Sequence, residues 1–306
     1  MAPQAVEPPR QTEALRRLLA AQRVGIVFSG GSARCAFQIG VVETLLELGV
    51  RPALCTGVSG GAWNAAAVAV GHAHRLRTYW RTFSRMPELD LSNLLREHSP
   101  YRWSEIHRRT FSRYVGIDRL RRPETLPVFV GVTRLSDRQP LYYDLRTADD
   151  PLNVLLASNY LPPFYTHAPH IDGERCGDGG ITNNIPYEKA FEEGCDAVVL
   201  VTMKGESEGL PYRNPREVQH AVPPAYRDRL IVIRPRHRLP TPFLERRWPV
   251  LLQAIELGRL RAREVLLGEV NPAADVRPAR VAPSALLARL ILGAWSPVNG
   301  PRLPRK

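Results

Sequence analysis

Lysine is nearly absent from this chain: only Lys189, Lys204 and Lys306 occur among 306 residues, although Lys and Arg together number 42. Its basic charge is therefore arginine charge. Long apolar runs are absent too. None approaches the ~20 residues of a spanning helix, which excludes an integral helical membrane protein. The four cysteines (Cys35, Cys55, Cys176, Cys195) form no CxxC and no close pair. Residues 1–21, a proline-rich leader with a short amphipathic helix, lack an apolar signal core. These absences set the expectation of free thiols in a reducing, cytoplasmic setting.

What is present suffices for a large core. With 44% hydrophobic and 24% charged residues the chain is not of the disordered class. A formal net charge of +12 points to an anionic partner, either nucleic acid or a lipid surface. The excess is concentrated. Residues 71–122 hold twelve arginines against five carboxylates, and residues 271–306 hold six basic residues against one acidic.

Hydrophobic patterning reads as α/β. Val24–Ser29 is an apolar run that breaks at Gly30-Gly31, and a helical pattern follows from Ala36 to a stop at Gly49. Leu54–Gly57 then leads into Ser59-Gly60-Gly61 and an alanine-rich helix from Ala62 to Val70. Strand–turn–helix twice in succession implies a parallel sheet. Residues 126–133, 196–203 and 229–234 suit strands buried on both faces, and 250–268 suits a long helix. The expected fold is a three-layer α/β/α sandwich with a mostly parallel central sheet. One domain would span 22–270, with a helical insertion or lid at 71–125, an N-terminal extension at 1–21 and a basic, apolar tail at 271–306.

Three glycine-rich turns carry the candidate chemistry. Gly57-Val58-Ser59-Gly60-Gly61 fits G-x-S-x-G, in which Gly57 and Gly61 let a strained strand-to-helix turn present Ser59 as a nucleophile; a plain packing turn is the alternative. Ser29-Gly30-Gly31-Ser32-Ala33-Arg34 can converge backbone N–H groups on an anion, with Arg34 adding positive charge, or can be a simple glycine turn. It lacks the lysine of a phosphate loop and does not match G-x-G-x-x-G. In Gly177-Asp178-Gly179-Gly180, Asp178 is expected to be exposed on a tight loop, available as a base or merely turning the chain.

Together these turns resemble the patatin-like phospholipase family. IVFSGGSARCAFQIGVVETLLELGV resembles its oxyanion segment and helix, GVSGG its nucleophile elbow, and DGGITNNIP its aspartate segment. Ala157–Tyr165 resembles the small-residue and proline passage before that aspartate, and Ala254–Leu266 a late helix containing Leu-Gly. The resemblance implies Ser59 as nucleophile, Asp178 as its general base, and the N–H groups of Gly30, Gly31 and Ser32 as an oxyanion hole supported by Arg34. It implies no metal and no cofactor, and substrates that are phospholipids or lysophospholipids. An acyltransferase or esterase on a small-molecule or thioester substrate, and a weakened lipid-binding homologue, are the alternatives. Ser32 and Cys35 stand where the family usually has glycine. Serine keeps its N–H, whereas Cys35 is either a thiol with a lowered pKa at a helix start or a packed small residue.

Other features carry less. His167, His170 and Cys176 match no common zinc spacing. His220 and His237 sit in proline- and arginine-rich loops without a supporting motif. Residues 103–115 place Trp103, Ile106, Phe111 and Tyr114 on one helical face and Arg108, Arg109 and Arg113 on the other, as in either a core-packed or a membrane-facing helix. Ala285–Trp295, with Arg302, Arg305 and Lys306 beyond it, is too short to span a bilayer. No nucleic-acid module accompanies the basicity, so the expected partner is an anionic inner membrane surface, bound peripherally.

Overall fold

The computed structural model describes residues 11–87, 89–92, 100–161, 168–209 and 221–275. The segment Ala285–Trp295, the basic residues after it, His167 and His220 lie outside these.

The continuous apolar runs form the centre of one sheet. β1 (Val24–Phe28) and β7 (Ala197–Val201) are buried along their whole length. Alternate side chains serve opposite faces: Ile26, Phe28, Val199 and Val201 join one apolar cluster, Val27, Val198 and Leu200 the other. With β2 (Pro52–Val58), β3 (Val128–Arg134), β4 (Pro140–Asp144), β5 (His170–Ile171), β6 (Glu174–Asp178) and β8 (Leu230–Ile233), the sheet order is β5-β6-β3-β2-β1-β7-β8, and β4 also pairs with β3. The β3-β2-β1-β7-β8 portion is parallel, while β4, β5 and β6 pair antiparallel. The protein is thus an α/β fold with a mixed, mostly parallel sheet flanked by helices.

The larger helical layer contains α1 (Glu13–Ala20), α2 (Ala36–Glu47), α3 (Gly60–Ala69), α4 (Leu76–Arg85), α5 (Trp103–Tyr114), α6 (Pro151–Ser158) and α8 (Trp248–Leu267); α7 (Tyr187–Glu192) packs on the opposite face. Helices α2 and α8 touch backbone to backbone. A Cβ on Gly40 would lie 1.9 Å from the Ile255 carbonyl oxygen, and one on Gly258 1.9 Å from that of Phe37. That contact explains the glycine of the late Leu-Gly helix. Residues 12–20, expected as an extension, pack on α8: Leu15 and Leu18 are buried, and the Thr12 N–H donates to the Leu266 carbonyl at 3.1 Å.

One edge of β3 sets up the site. β2 pairs there with residues 128–131, ending at Val58 opposite Gly131, and β6 pairs with residues 132–134, ending at Asp178 opposite Val132. Because β4 pairs with residues 129–133, it occupies the other edge. Two strands running in opposite directions therefore finish side by side on consecutive β3 residues. The next residue of one is Ser59, and the last of the other is Asp178.

Candidate active site

Ser59 sits between the end of β2 and the start of α3 with φ 53° and ψ −132°. A positive φ on a residue with a Cβ is strained and is held only by its surroundings. The spacing of the flanking glycines follows from contact. A Cβ on Gly61 would lie 2.5 Å from the carbonyl oxygens of Phe28 and Ser29, and one on Gly57 2.7 Å from the Ala62 Cα. The Ser59 N–H donates to the Ser158 hydroxyl at 2.9 Å, Ser158 donates to the Gly131 carbonyl at 2.7 Å, and Asn159 donates to the Ser59 carbonyl at 3.1 Å. The small-residue passage thus grips the elbow on both sides.

Asp178 is not exposed as expected. Its relative exposure is 5%, because the end of β6 lies inside the sheet edge. Its carboxylate accepts the Gly180 N–H at 2.7 Å and has the Ser59 hydroxyl as a neighbour. Burial pushes its pKa up to about 7, against the lowering influence of the Ser59 hydroxyl and the Gly180 N–H. A carboxylate poised near neutrality is a far better proton acceptor than an ordinary one.

The glycine loop lies against Ser59: a Cβ on Gly30 would be 2.9 Å from the Ser59 Cβ. Only two of the three expected N–H donors are available. The Gly30 N–H donates to Asn184 Oδ1 at 2.9 Å, while those of Gly31 and Ser32 have no acceptor among the described residues. Ser32 adopts φ 50°, the left-handed conformation that glycine enters without strain. Arg34 braces the loop from outside, its Nε donating to the Thr241 carbonyl at 3.3 Å and its guanidinium lying 5.9 Å from the centre of the Phe243 ring. Cys35 is fully buried, and burial pushes its thiol far above the usual range, so it is the packed small residue and not an activated thiol.

Beside Ser59 opens a cleft walled by Trp63 of α3, Tyr79, Trp80 and Phe83 of α4, Trp103 of α5 and the loop at Phe243–Glu245. The aromatic face of α5 therefore turns inward: Trp103, Ile106, Phe111 and Tyr114 are all buried, and the exposed Arg108, Arg109 and Arg113 face out. His107 also lines the cleft, stacked on Trp63 with ring centres 4.5 Å apart. Burial, helped by nearby Arg246, pushes its pKa down to about 3, so it is a neutral wall residue. Glu245 is buried but engaged by the Arg247 side chain and the N–H groups of Arg246 and Arg247. His237 pairs with Asp275.

Sequence reasoning assigned no role to Ser158, Asn159, Asn184 or His107. The first three carry a recognisable signal, a polar side chain in a turn or helix end beside a glycine-rich segment, where backbone groups need partners. His107 carries none.

The profile of the patatin-like phospholipase family matches residues 26–191, more than half of the chain. Uncharacterized protein YjjU of Escherichia coli is 25% identical over 184 residues, 58% of this chain and 51% of YjjU. A patatin-like phospholipase domain-containing protein of Aspergillus niger is 35% identical over 91 residues, 22% of this chain and 12% of its own length. The chain thus spans about half the length of the first relative and far less of the second. Among solved structures, VipD of Legionella pneumophila superposes with a TM-score of 0.47 at 14% identity, covering 87% of this chain and 71% of VipD. The type III effector ExoU gives 0.43 at 14% identity, covering 83% of this chain and 54% of ExoU. Because the family profile matches more than half of its length, the chain belongs to the patatin-like phospholipase family.

Proposed function

We propose that this protein is a serine hydrolase of lipid acyl esters, with phospholipids or lysophospholipids as substrates. The observation that carries the reading is the strained Ser59, neighboured by a buried carboxylate and lining an aromatic cleft. Ser59 Oγ attacks the ester carbonyl carbon while its proton passes to Asp178. The carbonyl oxygen becomes an oxyanion held by the Gly31 and Ser32 N–H groups. The tetrahedral species collapses, and the leaving alkoxide takes the proton back from Asp178. Water, deprotonated by Asp178, then attacks the acyl-enzyme; collapse releases the fatty acid and returns the proton to Ser59. The cleft receives the acyl chain, since its ionisable wall groups among the described residues are a neutral histidine, a buried tyrosine kept protonated and a carboxylate already engaged by Arg247.

The arginine excess supports a lipid surface as the place where substrate is met, with the arginines of α5 facing outward. Anionic vesicles should bind more tightly than zwitterionic ones, less so at high salt. The test of function is fatty-acid release from mixed phospholipid vesicles. Ser59→Ala and Asp178→Asn should each abolish it while the fold persists, and release surviving Ser59→Ala would refute the reading.

A further inference from the structure

A chain of buried hydrogen bonds runs from the wall of the acyl cleft to the glycine loop and has no part in the chemistry described so far. The Trp80 indole N–H donates to Asn64 Oδ1 at 2.8 Å. Asn64 Nδ2 donates to Gln38 Oε1 at 2.8 Å and to the Cys35 carbonyl at 3.0 Å. Gln38 Nε2 donates to the Ser29 carbonyl at 2.8 Å. The direction of this chain is fixed by chemistry. An indole N–H only donates, so the oxygen end of Asn64 must face it, and each amide downstream then has one possible orientation. Ser29, Gln38 and Asn64 are fully buried and Trp80 is 5% exposed, so the links are shielded from solvent.

The chain grips the loop at both ends. The Ser29–Gly30 peptide is held at its carbonyl by Gln38 and at its N–H by Asn184. Six residues on, the Cys35 carbonyl is held by Asn64. Between those anchors lie Gly31 and Ser32, whose N–H groups have no acceptor among the described residues. Peptide planes flanking glycine swing easily, and the anchors fix the two ends of the segment that carries them. Trp80 meanwhile forms part of the cleft wall on its other side.

We propose that Trp80, Asn64 and Gln38 are a positioning relay that aims the Gly31 and Ser32 N–H groups at the oxyanion from the wall of the acyl cleft. The relay rests on the hydrolase reading above. It acts on the transition state and not on ground-state binding, because the oxyanion exists only after attack.

The test uses Trp80→Phe, which keeps an aromatic ring in the wall while deleting the indole donor and some ring volume, and Gln38→Met, which keeps length and deletes the amide without touching the cleft wall. Thr44→Val removes a hydroxyl bonded within α2 and touches no part of the relay, so it controls for destabilisation of that helix. For Trp80→Phe and Gln38→Met, kcat on a long-chain chromogenic ester should fall about tenfold or more with KM little changed, by analogy with loss of oxyanion donors. Inhibition by a long-chain alkyl trifluoromethyl ketone, whose adduct is an oxyanion, should weaken by the same factor, while Thr44→Val stays at the wild-type value in both assays. Wild-type kcat in both relay variants, or a rise in KM alone, would overturn the relay and leave the hydrolase reading standing. Absence of turnover and of ketone inhibition in the wild type would overturn both.

Discussion

Replacing Asp178 by asparagine should make the protein inactive and more stable, and the gain should depend on pH. Burial raises the folded-state pKa of this carboxyl from 3.8 to about 7. A raised carboxyl binds its proton more tightly in the folded than in the unfolded chain. Its favourable contribution is therefore complete below the unfolded pKa and is lost as pH rises through 7. Three pK units correspond to about 4 kcal/mol between the two protonation states, so the ionised carboxylate opposes folding by about that much above pH 8. Asparagine has no charge to desolvate and can still accept the Gly180 N–H. The stability difference between Asp178→Asn and wild type should grow by about 3 kcal/mol from about pH 5 to about pH 8.5. Urea unfolding of the two proteins across that range measures it. A difference that is flat with pH, or an asparagine variant less stable than wild type at high pH, would refute the account of a desolvated base.

The same pKa governs turnover: the ionised form accepts the serine proton, so kcat should rise with pH through about 7 and level off above it, as a pH–rate profile would reveal. Ser32→Gly should keep turnover, since the donor is the backbone N–H, and should raise stability by about 1 kcal/mol in thermal melts by relieving φ 50°. Gly258→Ala should cost about 3 kcal/mol or more in the same melts, because its Cβ would meet the Phe37 carbonyl oxygen at 1.9 Å and push α2 and α8 apart.

Much of the fold was legible because its central strands are buried on both faces and read as unbroken apolar runs. The runs at 126–133, 196–203 and 229–234 became β3, β7 and β8. Strands β4, β5 and β6 escaped, being short and half polar, and defined by their pairing with β3 and with each other. The elbow was legible because Gly57 and Gly61 flank Ser59 at a fixed spacing, even though the contact that demands Gly61 is with the Phe28 and Ser29 carbonyls. The burial of Asp178 was not, since it depends on where β6 ends along β3, a long-range register that no local pattern encodes. The loss of Gly30 as an available donor has the same origin, because Asn184 is 154 residues away in sequence. The amphipathic pattern of residues 103–115 separated two faces, and packing turned the apolar one inward, with Trp103 reaching the cleft and Phe111 and Tyr114 entering the core.

An activated Ser59 should react covalently with a fluorophosphonate. Mass spectrometry should find a single adduct on the peptide containing Ser59, no adduct in Ser59→Ala, and slower labelling in Asp178→Asn. Failure of the folded wild-type protein to label, or equal labelling of Ser59→Ala, would contradict that activation.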